Sequence, residues 1–333
     1  MATREAPQIH ERKLPVMFRT SLRALAVFAT IFAFIHAAEA ETRVTLKAAK
    51  SGTSYYQMAV QIAEAVKAGS GGEIIVTVEE SQGSVQNVKE AANRSGNYVF
   101  TTPPGLAKAA MAGTGQFEPK DPAFDKLRSL FPIPALTMHY VVREDSGVTT
   151  FADLAGKRFI IGKGSFGASE AEKNFETFGL TGKVKLVDVE LSSAVPALKN
   201  GQVDGFATAG SFPAPNVMEA AAGLKIRLLS MTDEQIAATG RTRLVIPAGT
   251  YPGVEADTVT TSLPVGTYTT SDMDEATAYQ LTKIFWENKA DMAKANPWWS
   301  GVTADMLETL GAPLHSGALK YYKEAGFTLP AGQ

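Results

Sequence analysis

The 333-residue sequence contains no cysteine. That excludes disulfides, thiol nucleophiles, Cys-ligated zinc and a lipid-anchored N-terminal cysteine. Histidine is scarce too, and only His139 and His315 lie beyond the first forty residues. They are 176 positions apart, and neither has a second ligand at a metal-binding spacing, so no metal site is expected. G-x-S-x-G and H-E-x-x-H are both missing, and no spacing singles out a carboxylate pair. An enzyme is therefore not expected. An excess of one charge is also missing: 32 Lys and Arg face 34 Asp and Glu. With no block of like charge, no nucleic-acid partner is expected.

Arg12, Lys13, Arg19 and Arg23 precede the apolar run 24–35, and Ala38-Glu39-Ala40 follows with small residues at both A-x-A positions. Residues 1–40 read as a secretory signal peptide cleaved near Ala40, with Met1 or Met17 as the start. The run of 12 residues is too short for a helix across about 30 Å of hydrocarbon. The expected product is exported to the periplasm. That compartment holds little nicotinamide cofactor, and no cofactor is expected.

From residue 41 the chain alternates strands and helices. Arg43–Ala49 reads as a strand, and 55–68 as a helix with Met58, Ala59, Ile62, Ala63 and Val66 on one face. Ile74–Glu80 is a strand, 85–93 a helix, 96–104 a strand and 105–112 a helix. Thr137–Asp145 is strand-like. The order then restarts with a strand at 158–161, a helix, a strand at Val184–Leu191, a short helix and a strand from Gln202. Residues 241–270 form a turn- and strand-rich return crossing. A long helix follows over 273–295, with Asp272 or Ser271 as its N-cap. The stretches IIVTVEESQGSVQNVKEAANRSGNYVFTTPP and VKLVDVELSSAVPALKNGQVDGFATAGSFP share one grammar: strand, Ser-rich loop, short helix, Gly turn and strand.

Such alternation implies an α/β fold, a mostly parallel sheet with helices on both faces, and two sets imply two lobes. Lobe I is expected over 41–142 plus 262–333, and lobe II, with the return crossing, over 143–261. Ligands of such sheets sit beyond the carboxyl ends of the strands. With two lobes, both sets of strand ends can face one central cleft.

Gly162, Gly164 and Gly167 spell G-x-G-x-x-G between a strand and a helix, and Asp188 stands 21 residues on. That pattern fits a dinucleotide site. It equally fits a tight turn with close packing, or an anion cleft. Helix N-termini carry partial positive charge and unpaired N–H groups, which accept phosphate or carboxylate alike. Small-residue loops open helices at 50–54, 82–84, 163–167 and 192–193. Ser51, Thr53, Ser54, Ser84, Asn87, Thr101, Thr102, Thr208 and Ser211 recur at strand ends in both halves. Lys50 and Lys163 stand ready to counter a carboxylate, and Tyr55, Tyr56, Phe166 and Phe212 to wall a pocket.

Several stretches narrow the reading: SGTSYYQMAVQIAEAV, EESQGSVQNVKEAANR, HYVVREDSGVTTFADLAGKRF, VPALKNGQVDGFATAG, VIPAGTYPG and PLHSGALKYYKEAGF. Together they resemble the TAXI family, the substrate-binding subunits of tripartite ATP-independent periplasmic (TRAP) transporters. The resemblance covers nearly all of the chain beyond residue 40. It implies a type II periplasmic-binding fold, two α/β lobes that close on a small organic anion or amino acid and pass it to a TRAP membrane permease. By motif match the pocket draws on Ser51, Gly52, Thr53, Ser54 and Tyr55, then Ser84 and Asn87. It continues through Lys163, Gly164, Ser165, Phe166 and Gly167, then Ala209, Ser211 and Phe212, with Thr102 at the third strand end. Two places depart from the family: Ser51-Gly52-Thr53-Ser54 holds less glycine, and Thr101-Thr102-Pro103-Pro104 replaces a Gln-Ser-Asp-like run. REDSG…FADLAGKR is shared with binding proteins of ATP-driven importers of the nitrate, sulfonate or thiamine-precursor kind. An exported enzyme and a sensor are the other readings.

Overall fold

The computed structural model describes residues 41–94 and 96–332. The expected signal peptide lies outside the described residues. Among them, no helix is long and apolar enough to cross a membrane.

Three parallel strands open the fold: β1 (Thr42–Lys47), β2 (Ile74–Glu79) and β3 (Tyr98–Thr102). Helix α1 (Ser54–Gly69) links β1 to β2, α2 (Ser84–Ala91) links β2 to β3, and α3 (Pro104–Ala112) follows β3. The 3.6-residue period holds in α1, which buries Met58, Ala59, Ile62 and Val66 of the expected face together with Tyr55, while Ala63 is only half-buried. Thr53 caps it by accepting from Tyr56 N–H.

β4 (Leu127–Arg143) begins well before the expected Thr137. Prolines at 132 and 134 hid its first half, because proline cannot donate to a ladder. Residues 127–133 and 136–137 pair antiparallel with β10 (Thr258–Thr270), and 137–142 pair with β7 (Gly205–Gly210), so that Thr137 is paired with both. Pro134 falls in the break of the β4–β10 ladder, where no donor is needed. The β4–β10 register shifts between Leu263 and Val265, at Pro264. The second parallel set is β5 (Arg158–Ile160), β6 (Lys185–Leu186) and β7. The sheet order is β2-β1-β3-β10-β4-β7-β5-β6, with β8 (Ile226–Leu228) on β4 and β9 (Thr242–Ile246) on β10. Two parallel sets are thus joined by one antiparallel pair of long strands. The expected boundary at 142/143 falls at the far end of β4, and the break in the β4–β10 ladder falls at Pro134 and Pro264.

The second set carries α4 (Phe166–Thr177), α5 (Ala194–Lys199), α6 (Pro215–Gly223) and α7 (Asp233–Thr239). The expected strand over 184–191 shrinks to two residues, because its neighbour β5 is only three residues long, and beyond it single bonds from Val187 N–H to Phe159 O and from Lys163 N–H to Val189 O replace a regular ladder. The freed stretch puts Asp188 and Glu190 in a loop. The long helix α8 runs over Glu275–Ala295 and is capped by Asp274, not by Asp272 or Ser271, since the Asp274 carboxylate reaches Thr277 N–H at 2.9 Å. Asp272 instead pairs with Lys126. A last helix, α9 (Ser316–Glu324), begins at His315, whose Nδ1 accepts from Gly317 N–H.

The larger core cluster packs α1, α8 and α9 on the first set. Phe131 and Phe285 stack at 4.0 Å between centroids, and Trp299 is fully buried with its indole N–H on Gln61. Truncating such an aromatic costs about 3–5 kcal/mol. A smaller cluster, including Val141, Val195, Phe206, Val217 and Tyr251, fills the second set.

Candidate functional site

The carboxyl ends of β1, β2, β3, β5 and β7 meet at one cavity of about 50 Å3. Its floor is Leu136 of β4 and Val265 of β10, on either side of the register shift. Ala48, Ala49, Ile161 and Leu191 give it apolar walls. Its polar lining is Thr53, Gln82, Ser84, Thr101, Ser165 and Thr208, with Lys50 and Lys163 toward the rim.

Three helices start at this cavity, two from the first set and one from the second. Their first N–H groups lack intrahelical acceptors. Caps satisfy one each at α1 and α4: Thr53 takes Tyr56 N–H, and Ser165 takes Ala168 N–H. α2 starts at Gly83 with no side-chain cap, so its first turn is the barest. Thr101 is 4% exposed and lines the cavity, and beneath it the fully buried Asn87 Oδ1 has no hydrogen-bond partner among the described residues. Thr208 Oγ1 accepts from Asn216, which leaves its proton to give. The surround is therefore rich in neutral donors.

Both lysines are already met by carboxylates. Lys50 Nζ lies 3.1 Å from Glu190, and Lys163 Nζ 2.6 Å from Asp188. Glu190 also accepts from Gln82 at 2.6 Å. The hydrogen bonds from Gln82 and Lys50 hold the Glu190 carboxyl below the usual carboxylate range. No Asp, Glu or His lines the cavity, and no group of three such residues able to hold a metal occurs among the described residues.

The expected site residues divide. Thr53, Tyr55, Ser84, Lys163, Ser165, Phe166, Gly167 and Ala209 lie on the wall. Gly167 is there for packing, since a Cβ on it would sit 2.8 Å from Ala209 Cβ. Gly162 (φ +80°) and Gly164 (φ +72°) shape the turn, with Gly164 on the far side of the Gln82 loop. Asp188 sits at the rim on Lys163 rather than inside where a ribose would need it. The dinucleotide fingerprint is thus a turn-and-packing device.

The other expected residues stand off the wall. Ser51 N–H goes to Glu80, and Gly52 makes an exposed turn at φ +80°. Asn87 is fully buried, donating to Ala48 O and Thr101 O, so it ties β1 to β3 beneath the cavity. Thr102 is buried and directs its hydroxyl to Pro103 O. Ser54 Oγ accepts from Ser211 N–H, and Ser211 Oγ donates to Ala135 O. With Tyr55 OH on Pro134 O, these contacts hold the first and second sets together at the crossing strand. Burial pushes the Tyr55 phenol well up, so it stays protonated. Phe212 lines a separate groove with Pro134 and Trp298.

Gln82, Gly83 and the apolar wall residues are not picked by the motifs, although strand-end position marks most of them. Nothing in the sequence marks Glu190, whose partner Gln82 is 108 residues away. His139 has both ring nitrogens engaged: Nδ1–H donates to Thr137 O, and Nε2 accepts from Tyr251 OH.

A model of the NMT1-like family matches residues 46–326. Among solved structures, the chain is similar to the periplasmic binding protein BugD at 13% identity. The match covers 86% of this chain and 98% of that one, with a TM-score of 0.53. A protein of Bordetella bronchiseptica RB50 matches at 14% identity over 86% and 98%, with a TM-score of 0.51. At such identities the likeness is one of fold, and the fold is that of the periplasmic binding proteins.

Proposed function

The chain belongs to the NMT1-like family, and from that premise we propose that it is an exported solute-binding protein for a small organic anion or amino acid. The observation that carries this reading is the convergence of three helix N-termini and the hydroxyls of Ser84, Thr101 and Thr208, from both parallel sets, on one cavity. Neutral, oriented donors bind a carboxylate without transferring a proton to it. Charge-assisted hydrogen bonds of this kind strengthen as closure shuts out water.

The finer reading is a TAXI-type subunit that delivers its solute to a TRAP permease, supported by the tyrosine pair, the GSVQN block and the AGTYPG block in that order. The halves would be lobe I, 41–142 plus 262–333, and lobe II, 143–261. Bending belongs at Pro134–Leu136 and Leu263–Val265, where the register of the two long strands shifts. Closure must be favoured by differential affinity of the ligand for the closed form.

A thermal-shift screen of monocarboxylates, dicarboxylates, amino acids and sulfonates tests the reading. A ligand raises the midpoint with concentration, because it binds only the folded chain. A screen in which no anion does so overturns it. An ATPase gene beside this one, in place of a large membrane permease, would favour the ATP-driven importer. Turnover of a bound compound would favour an enzyme.

A further inference from the structure

Resting on the anion-cavity reading, we infer that Glu190 is the residue that sets ligand charge: it makes the cleft accept singly charged carboxylates and reject doubly charged ones. One carboxylate inside the cavity is met by neutral donors, the helix N–H groups and the hydroxyls of Ser84, Thr101 and Thr208, because both lysines of the lining are already paired with carboxylates. A second carboxylate on the same ligand needs a cation. Lys163 is 61% exposed, so water and salt screen its field. Lys50, at 23%, is the better shielded cation, and Glu190 already holds it.

The contact also spans the cleft. Lys50 and Gln82 belong to the loops after β1 and β2, while Glu190 belongs to the loop ahead of α5 in the second set. A dicarboxylate reaching for Lys50 must displace Glu190. That breaks two contacts that close the mouth and leaves two carboxylates around one ammonium. A monocarboxylate leaves the Glu190 contacts intact.

The test uses matched pairs differing only in the second charge: propanoate and propanedioate, butanoate and butanedioate, pentanoate and pentanedioate. Each is titrated by calorimetry into the wild-type chain and two variants. The wild-type chain binds the monocarboxylate of at least one pair at least about tenfold more tightly than its dicarboxylate. Glu190→Gln removes the negative charge and frees Lys50, so the preference falls at least about tenfold through stronger dicarboxylate binding. Lys50→Gln leaves Glu190 uncompensated and widens the preference. Glu190 is 43% exposed on its side chain, so its replacement leaves the fold in place. Dicarboxylates bound as tightly as monocarboxylates, or a preference unmoved in both variants, overturn the inference while the anion reading stands. Binding of no member of any pair to the wild-type chain also overturns the inference, and the anion reading itself falls when the wider screen of amino acids and sulfonates finds no ligand either.

Discussion

Gly167→Ala separates packing from ligand binding at the third glycine of the fingerprint. The added Cβ would lie 2.8 Å from Ala209 Cβ and 3.4 Å from Ala209 N. Contacts that short force α4 away from β7 or bend the strand, and overpacking of this kind costs about 1–3 kcal/mol. Alanine in a helix regains at most about 1 kcal/mol over glycine, and less so near the N-terminus. The net expectation is a loss of about 1–2 kcal/mol, or a melting midpoint lower by about 2–6 °C. Ala209→Gly removes the atom that is struck, so the double variant recovers most of the loss. Urea unfolding of the four proteins forms a double-mutant cycle, expected to give a coupling of about 1 kcal/mol or more. A Gly167→Ala chain as stable as the parent, with no coupling to Ala209, would refute the close approach of α4 to β7.

Three further outcomes follow from the same geometry. Thr101→Val keeps the shape and removes a cavity-lining hydroxyl, so the free protein melts within about 1 °C of the parent, while affinity for a carboxylate found by the screen falls by about 1.5–3 kcal/mol. A destabilised free protein with unchanged affinity would show that the hydroxyl is structural. Ser54→Ala strips the acceptor from the buried Ser211 N–H and lowers unfolding stability by about 1–3 kcal/mol, read by urea denaturation; no change would mean that water replaces the bond.

His139 is 1% exposed, and burial lowers its pKa to about 4. The unfolded chain titrates near pH 6.5, so it binds the extra proton first as pH falls. The stability contribution is complete above about pH 6.5 and is lost progressively down to about 4, by roughly 3 kcal/mol. His139→Gln should flatten stability between pH 7 and 5, and an unchanged slope would contradict the assignment.

Much of the fold is legible because periodicity and turn chemistry are local. Met58, Ile62 and Val66 announce α1, and Gly71 ends it. β4 was only half legible, because Pro132 and Pro134 look like breakers until the pairing of 127–133 with β10 is known. The stretch 184–191 has strand composition but lacks a long neighbour, and that is a property of the sheet. The candidate site was legible at the level of loops. Small residues after strands located Thr53, Ser84 and Ser165, yet hydroxyls at the same strand ends turn opposite ways. Thr101 meets the cavity while Thr102 points to Pro103, since successive strand residues alternate in face. Glu190 was not legible at all, because only tertiary structure brings it to Lys50 and Gln82.

The crystal structure of the purified chain grown with a carboxylate from the screen tests the central claim most directly. The account expects the carboxylate between the two sets of strand ends, accepting from Thr101 Oγ1 and from first-turn N–H groups of α2 and α4. A ligand bound elsewhere, with this cavity holding only solvent, would contradict it.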